Sequence, residues 1–194
     1  MIKALQLMFF PLSAWQKVVE KERGVAGIFF LYWLPFMALV TAAEGLALVY
    51  WGDARGHFSR IMLVSQDVAM RYEARQWMAG LGILFGGSAV LQWLAAGFHF
   101  QTTYTRCFTV VAYGLAPTML ARLLDCVPTL NTWLCWGLGA LCSVHVLYQG
   151  VGAVLQPNIS GGFGLYLLSA FVLVFLTGMG HLFAVALLHG NGVF

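Results

Sequence analysis

Long apolar segments separated by short polar stretches dominate the hydrophobic pattern of this chain. Five segments are long enough to cross the roughly 30 Å hydrocarbon core of a bilayer as helices. We therefore predict five membrane spans joined by short loops, which is an all-α architecture. The predicted bounds are about 25–51, 77–100, 107–124, 130–154 and 163–188.

Residues 1–24 are too polar to span. A helix here would place Trp15 and Val18 on one face, opposite Lys17 and Lys21. That arrangement predicts a short helix lying in the membrane interface. A solvated helix that leads into the first span is the alternative.

Two further polar stretches lie outside the predicted spans. Residues 52–76 form the main polar loop, where Val64, Val68 and Tyr72 recur at helical spacing and favour a second interfacial helix. Residues 189–194 form a short tail. Several tryptophans fall near predicted span ends, as residues of an interfacial aromatic belt do: Trp15, Trp51, Trp77 and Trp133.

Composition supports this architecture. The chain is 61% hydrophobic and 9% charged, and its mean hydropathy is +0.83, whereas soluble domains carry about 25% charged residues. The pattern and the composition together predict a polytopic five-helix transmembrane bundle over residues 25–188. A net charge of +3 is too small to suggest a nucleic-acid partner, so the expected partner is the lipid bilayer.

The third segment contains the sequence Tyr113-Gly114-Leu115-Ala116-Pro117. Proline has no backbone N–H and clashes with the carbonyl four residues earlier, so Pro117 predicts a kink that frees the Tyr113 carbonyl. Neighbouring helices must cover a freed carbonyl in hydrocarbon. Gly114 would let one of them approach closely.

Four polar residues in the apolar segments form a candidate buried polar site: Glu44, Arg122, Asp125 and His145. A carboxylate within a span is costly, so Glu44 is expected to be protonated, paired or facing a wet cavity. Pairing with Arg122 is one hypothesis, and an interfacial Arg122–Asp125 ion pair is the simpler one. For His145, and for His181 in the fifth segment, hydrogen-bonded packing is favoured over metal ligation.

Small residues four apart suggest where helices pack closely. Gly82 and Gly86 form such a pair in the second span, and Gly180 and Ala184 form another in the fifth. These pairs also suit packing against a membrane protein partner or a second copy of the chain.

The sequence lacks a phosphate loop, a nucleophile elbow, an HExxH motif and a dinucleotide fingerprint, and its four cysteines show no CxxC spacing. We therefore predict no enzymatic activity, no catalytic residue, no cofactor and no metal.

Orientation is not decided by charge, because each side of the predicted topology carries five basic residues. They are Lys3, Lys17, Lys21, Arg23 and Arg106 on the N-terminal side, and Arg55, Arg60, Arg71, Arg75 and Arg122 on the other.

Five apolar segments with Tyr113-Gly114-x-x-Pro117 in the third resemble the YIP family of Ypt/Rab-interacting membrane proteins, in particular its short bacterial YohC-like inner-membrane branch. Further marks of the resemblance are Pro11, Trp15 and Glu20 before the first span, Pro128 after the third, Leu147-Tyr148-Gln149-Gly150 in the fourth and the terminal Phe194.

The resemblance implies a multi-pass protein of the bacterial inner membrane, with a cytoplasmic N-terminus and a periplasmic C-terminus. The long N-terminal region and the Asp-Leu-Tyr-Gly-Pro motif of eukaryotic members are missing, so their trafficking role and GTPase binding are not carried over.

Two hypotheses of function remain open. One is a non-enzymatic scaffold or interaction protein. The other is a small transporter or ion-conducting protein in which Pro35, Pro117 and Glu44 mark a path of broken helices.

Overall fold

The computed structural model describes residues 2–52, 63–156 and 159–190, and these ranges form an all-α bundle without a strand. Among the described residues, five helices are long and apolar enough to cross a membrane. The predicted fold class, an all-α polytopic membrane protein, is therefore confirmed. The five helices are span 1 (Val25–Tyr50), span 2 (Gln66–Gly97), span 3 (Tyr104–Cys126), span 4 (Thr132–Leu155) and span 5 (Gly162–Ala186).

Span 2 differs most from the predicted bounds, because its helix begins at Gln66 rather than near residue 77. The added turns carry polar side chains, including Glu73 and Gln76, that are buried inside the bundle. Because these residues are polar, the hydropathy of the sequence assigns them to a loop and not to a span. Of the predicted polar loop, residues 53–62 lie outside the described residues, as do residues 191–194 of the predicted tail.

The N-terminal region forms two short helices, α1 (Ile2–Phe9) and α2 (Pro11–Val19), where one interfacial helix was predicted. Both contribute buried side chains to the core that the spans share. The Trp15 indole N–H donates to the Val146 carbonyl at 3.1 Å, and its ring packs against Gly150. Trp15 is thus a core residue and not a belt anchor. Two other predicted belt residues are exposed: Trp51 and Trp133.

Span 1 contains a π-helical turn, Phe29–Trp33, which ends two residues before Pro35. Pro35 cannot donate to the carbonyl of Leu31, and its ring crowds that carbonyl. The wider turn accommodates this defect: the Leu34 amide donates to the Phe29 carbonyl, five residues back. Such π-turns are a recognised way for a helix to absorb a local irregularity.

Span 3 is interrupted at Leu115, two residues before Pro117. Its two halves share a buried face, and the interruption leaves the Thr118 amide without a helical acceptor. The hydroxyl of Ser143 in span 4 accepts from this amide at 3.2 Å. A neighbouring span therefore satisfies a backbone group that the break has freed, as a hydrocarbon environment requires. A Cβ on Gly114 would overlap the side chain of Leu147 in span 4.

The small-residue pairs predicted for helix packing have different positions in the structure. Gly82 and Gly86 are exposed, and a Cβ on either would meet nothing within 4 Å, so this pair does not pack against a described helix. On span 5, a Cβ on Gly180 would contact the side chain of Ala79 in span 2 at 3.4 Å. Ala184 is buried in a small cluster that also includes residues of spans 1 and 2.

Spans 3 and 4 also approach each other closely at Gly139, which no sequence pattern singled out. A Cβ at this position would lie 2.8 Å from the Cα of Thr118 and 2.7 Å from the Cβ of Ala121. Only glycine permits this approach, because one of the two obstructing atoms belongs to the backbone.

Candidate functional site

Arg122, in the last α-helical turn of span 3, lies at the centre of a buried charge network. Its guanidinium donates twice to Oε2 of Glu44 in span 1, from Nη2 at 2.6 Å and from Nε at 2.9 Å. Glu44 is completely buried, and the Arg122 side chain is 13% exposed. Charge-assisted hydrogen bonds of this length are among the strongest polar interactions in proteins.

Span 2 joins the same network through three side chains. Arg122 Nη2 also forms an ion pair with Oε2 of Glu73 at 3.1 Å. The Tyr72 hydroxyl donates to Oε1 of Glu44 at 3.0 Å, and the Gln76 side-chain amide donates to the Tyr72 oxygen at 3.0 Å. One guanidinium and four other side chains therefore connect spans 1, 2 and 3.

This network is costly to bury and difficult to break. Moving a charge into an apolar interior is unfavourable, and close partners with several hydrogen bonds recover much of that cost. Removing one partner of a buried pair typically costs about 3–5 kcal/mol, because the other charge is left behind. Arg122, Glu44 and Glu73 thus hold three helices in a fixed relation.

A second polar group, centred on Thr132, lies beside the charge network. The Thr132 hydroxyl donates to Oδ2 of Asp125 at 3.1 Å and lies 3.1 Å from Nε2 of His181. The His181 ring stacks on Trp136 and meets the edge of Trp133. This group connects the end of span 3 to spans 4 and 5.

A cavity of about 70 Å³ lies between the two groups. It has room for a few water molecules or one small ion, since the centre of a single water molecule needs about 10–15 Å³ of free space. Its polar lining comes from spans 2 to 5: Gln76, Thr118, Arg122, Asp125, Trp136, Thr177 and His181.

The structure brings together three of the four residues of the predicted polar site. Glu44 and Arg122 are in direct contact, and Asp125 lines the adjoining cavity. Asp125 accepts from Thr132, whereas the ion-pair partners of Arg122 are the two glutamates, so the simpler hypothesis of an Arg122–Asp125 pair does not describe this site. His145 is exposed on span 4 and is not part of the cavity lining.

Tyr113 of the motif in span 3 does not belong to the charge network. Its ring lies 4.3 Å from that of Tyr32 and 6.1 Å from that of Trp15, measured between centroids. Tyr113 therefore fixes the N-terminal half of span 3 against span 1 and α2. The motif and the charge network occupy different regions of the bundle.

Within the described ranges, no group of three or more His, Cys, Asp or Glu side chains is placed to hold a metal ion. The chemistry that the described site offers is accordingly that of fixed charges and hydrogen bonds around a small cavity.

The sequence analysis did not assign four members of the site: Tyr72, Glu73, Gln76 and Thr132. The sequence does contain a pattern that points to Tyr72, Glu73 and Gln76. Tyr72 continued the helical apolar spacing, and Glu73 and Gln76 follow it within about one turn. Extending span 2 toward its N-terminus would have placed them opposite Glu44.

The Yip1 domain family model matches residues 5–187, which is nearly the whole chain. Searches of curated proteins and of solved structures give no match.

Proposed function

Because this chain belongs to the Yip1 domain family, we propose that it is a non-enzymatic scaffold or interaction protein of the bacterial inner membrane, within the short YohC-like branch. The observation that carries this proposal is the position of Arg122 between Glu44 and Glu73. The strongest polar interactions of the described site link helices to one another. Such a bundle is suited to presenting a rigid surface to partners in the membrane.

The exposed face of span 2 supports an interaction role. Gly82 and Gly86 lie one turn apart on this face, and no described side chain covers them. Small residues at this spacing allow helices from other chains to approach closely, which is how membrane helices associate without a hydrophobic driving force.

Photocrosslinking in native membranes tests this proposal. We expect a crosslinkable residue at position 86 to give an adduct of discrete mass with a membrane protein or a second copy. The matched control is position 141, where Leu141 is exposed on span 4, and we expect no discrete adduct there. Recovery of only the monomer from both positions would contradict the interaction role.

The cavity beside Arg122 favours a second function, that of a small transporter or ion-conducting protein. Arg122 of the network lines this cavity together with Asp125, and spans 1 and 3 are irregular near Pro35 and at Leu115. Broken helices at mid-membrane sites are a recurring feature of transporters. In this case Glu44 would carry a proton or coordinate a cation during each cycle.

Flux in reconstituted vesicles distinguishes the two functions. If the chain transports, Glu44→Gln should abolish a proton- or ion-dependent flux that the wild-type protein supports. Glu20→Gln, which changes an exposed carboxylate on the N-terminal side, should leave the flux unchanged. Equal flux in the Glu44→Gln variant would remove Glu44 from any transport mechanism.

Orientation follows the family resemblance, with the N-terminus in the cytoplasm and the C-terminus in the periplasm. The buried position of Arg122 supports this assignment, because a guanidinium enclosed by two glutamates is not a flanking charge. When Arg122 is left out of the count, the basic residues of the N-terminal side outnumber those of the other side. Excess Lys and Arg near span ends favours the cytoplasmic side.

A further inference from the structure

A second cavity, of about 210 Å³, lies on the N-terminal side of the bundle. Its walls come from three separate parts of the chain that meet on this side: the turn between α2 and span 1, the start of span 3 and the end of span 4. Tyr113 of the family motif contributes to its lining. The cavity is thus distant in the fold from the charge network around Arg122.

Three cationic side chains line this cavity: Lys21, Arg23 and Arg106. None of them forms an ion pair with a carboxylate in the described part of the chain, and Glu22 is the one acidic residue of the lining. The lining therefore carries a net positive charge. Arg23 is half-buried, so part of its charge is held within the cavity and not in bulk water.

The rest of the lining combines hydroxyl groups with an apolar wall. Thr103, Thr105 and Thr109 supply side-chain oxygens from the start of span 3. Val18, Ile28, Ala153 and Val154 supply the apolar surface. Such a site can bind a charged group at one end and hydrocarbon at the other.

Two residues of the lining have a left-handed backbone conformation that side-chain-bearing residues rarely adopt. They are Glu22, with a φ of 35°, and Gln156, with a φ of 48°. Conformations of this kind cluster at ligand sites, where the surrounding structure maintains them. Both positions lie where a helix ends at this face of the bundle.

We propose that this cavity binds the phosphate of an anionic phospholipid headgroup from the leaflet on the N-terminal side. Arg23 and Arg106 would donate to the phosphate oxygens, for which a planar guanidinium is well matched. Lys21 would add charge, and the apolar wall would follow the start of the acyl chains. Basic pockets between spans are known sites for anionic headgroups. A soluble phosphate offers the same anionic chemistry but would leave the apolar wall uncovered.

Lipid binding to the full-length protein in nanodiscs tests this site. Phosphatidylglycerol, titrated into phosphatidylcholine discs, should raise the thermal stability of the wild-type protein and remain bound in native mass spectrometry. In the double variant Arg23→Gln/Arg106→Gln, we expect the apparent affinity for phosphatidylglycerol to fall by about fivefold for each cation removed. In pure phosphatidylcholine discs this variant should unfold at the wild-type temperature.

A double variant that removes the same charge outside the cavity is the control. Lys17→Gln/Arg71→Gln changes two exposed cations, one on each side of the bundle, and should retain wild-type affinity for phosphatidylglycerol. Equal weakening in both double variants, or unchanged affinity in Arg23→Gln/Arg106→Gln, would overturn the site. Inorganic phosphate, added to phosphatidylcholine discs, should give no protection. Protection of the wild type alone by inorganic phosphate would overturn the lipid assignment in favour of a soluble phosphate.

Discussion

Arg122 is the residue on which the described polar structure most depends. It lies at the end of a span that is interrupted earlier by Pro117, and its guanidinium binds carboxylates from two other spans. In hydrocarbon, an isolated charge of either sign is strongly unfavourable. Glu44 and Arg122 therefore depend on each other, and the effects of changing them should not add.

A double-mutant cycle measures this dependence. Glu44→Gln and Arg122→Gln should each lower the free energy of unfolding by about 3–5 kcal/mol, because each leaves a buried charge without its main partner. The double variant should lose less than the sum of the two, by about 1–3 kcal/mol. Denaturation of the purified protein in detergent would provide these values.

Glu20→Gln is the matched control for this cycle, since Glu20 is exposed on the N-terminal side. It should change the free energy of unfolding by less than about 0.5 kcal/mol. Strictly additive effects of the Glu44 and Arg122 substitutions would show that the two side chains do not interact.

At the scale of the helices, glycines determine how closely the spans approach. Gly139 brings span 4 onto the backbone of span 3 beside Thr118, and Gly180 brings span 5 onto span 2. Gly82 and Gly86, which show the best-known packing pattern, face outward. A spacing of four residues shows that two glycines share a helix face, but it does not show what packs against that face.

Alanine substitutions distinguish these two kinds of glycine. Gly139→Ala should lower the free energy of unfolding by about 1–3 kcal/mol, because the new methyl group would overlap the backbone of span 3. Gly82→Ala should have no destabilising effect, since its methyl group enters open space and alanine favours the helix. Thermal unfolding of both variants in the same detergent compares them directly. Equal stability of the two variants would contradict the packing described for Gly139.

At the scale of the whole molecule, the described residues place two polar regions at opposite ends of the bundle. The charge network lies where spans 1 and 3 end and span 2 begins. The basic cavity lies on the other side, where spans 1 and 3 begin. Five spans within the described residues predict that the two chain ends lie on opposite sides of the membrane.

Reporter fusions test this whole-molecule arrangement. We expect a fluorescent protein on the N-terminus to fold in the cytoplasm and an alkaline phosphatase on the C-terminus to be active in the periplasm. A phosphatase joined after residue 100, between spans 2 and 3, should be inactive and serves as the control. Both ends on one side would contradict five spans, and the reverse pattern would contradict the proposed orientation.

The class of protein, the five apolar segments and the proline irregularities could be predicted from the sequence alone. These features depend on hydropathy and on the missing N–H of proline, which are local properties that need no knowledge of neighbours. Glu44 and Arg122 were also recognisable, because a charge within an apolar segment requires an explanation wherever it lies. The family resemblance rested on short motifs distributed along the chain and is confirmed over residues 5–187.

Only the tertiary structure decided which side chains meet. In the structure, Arg122 binds Glu44 and Glu73. His181 belongs to the polar site, whereas His145 does not. The close contact between helices is at Gly139 and not at Gly82 or Gly86. The physical reason is that lipid is as apolar as a helix interface. A membrane helix therefore carries little contrast between its lipid-facing and its buried faces, and the rotation of each span becomes evident only when its neighbours are present.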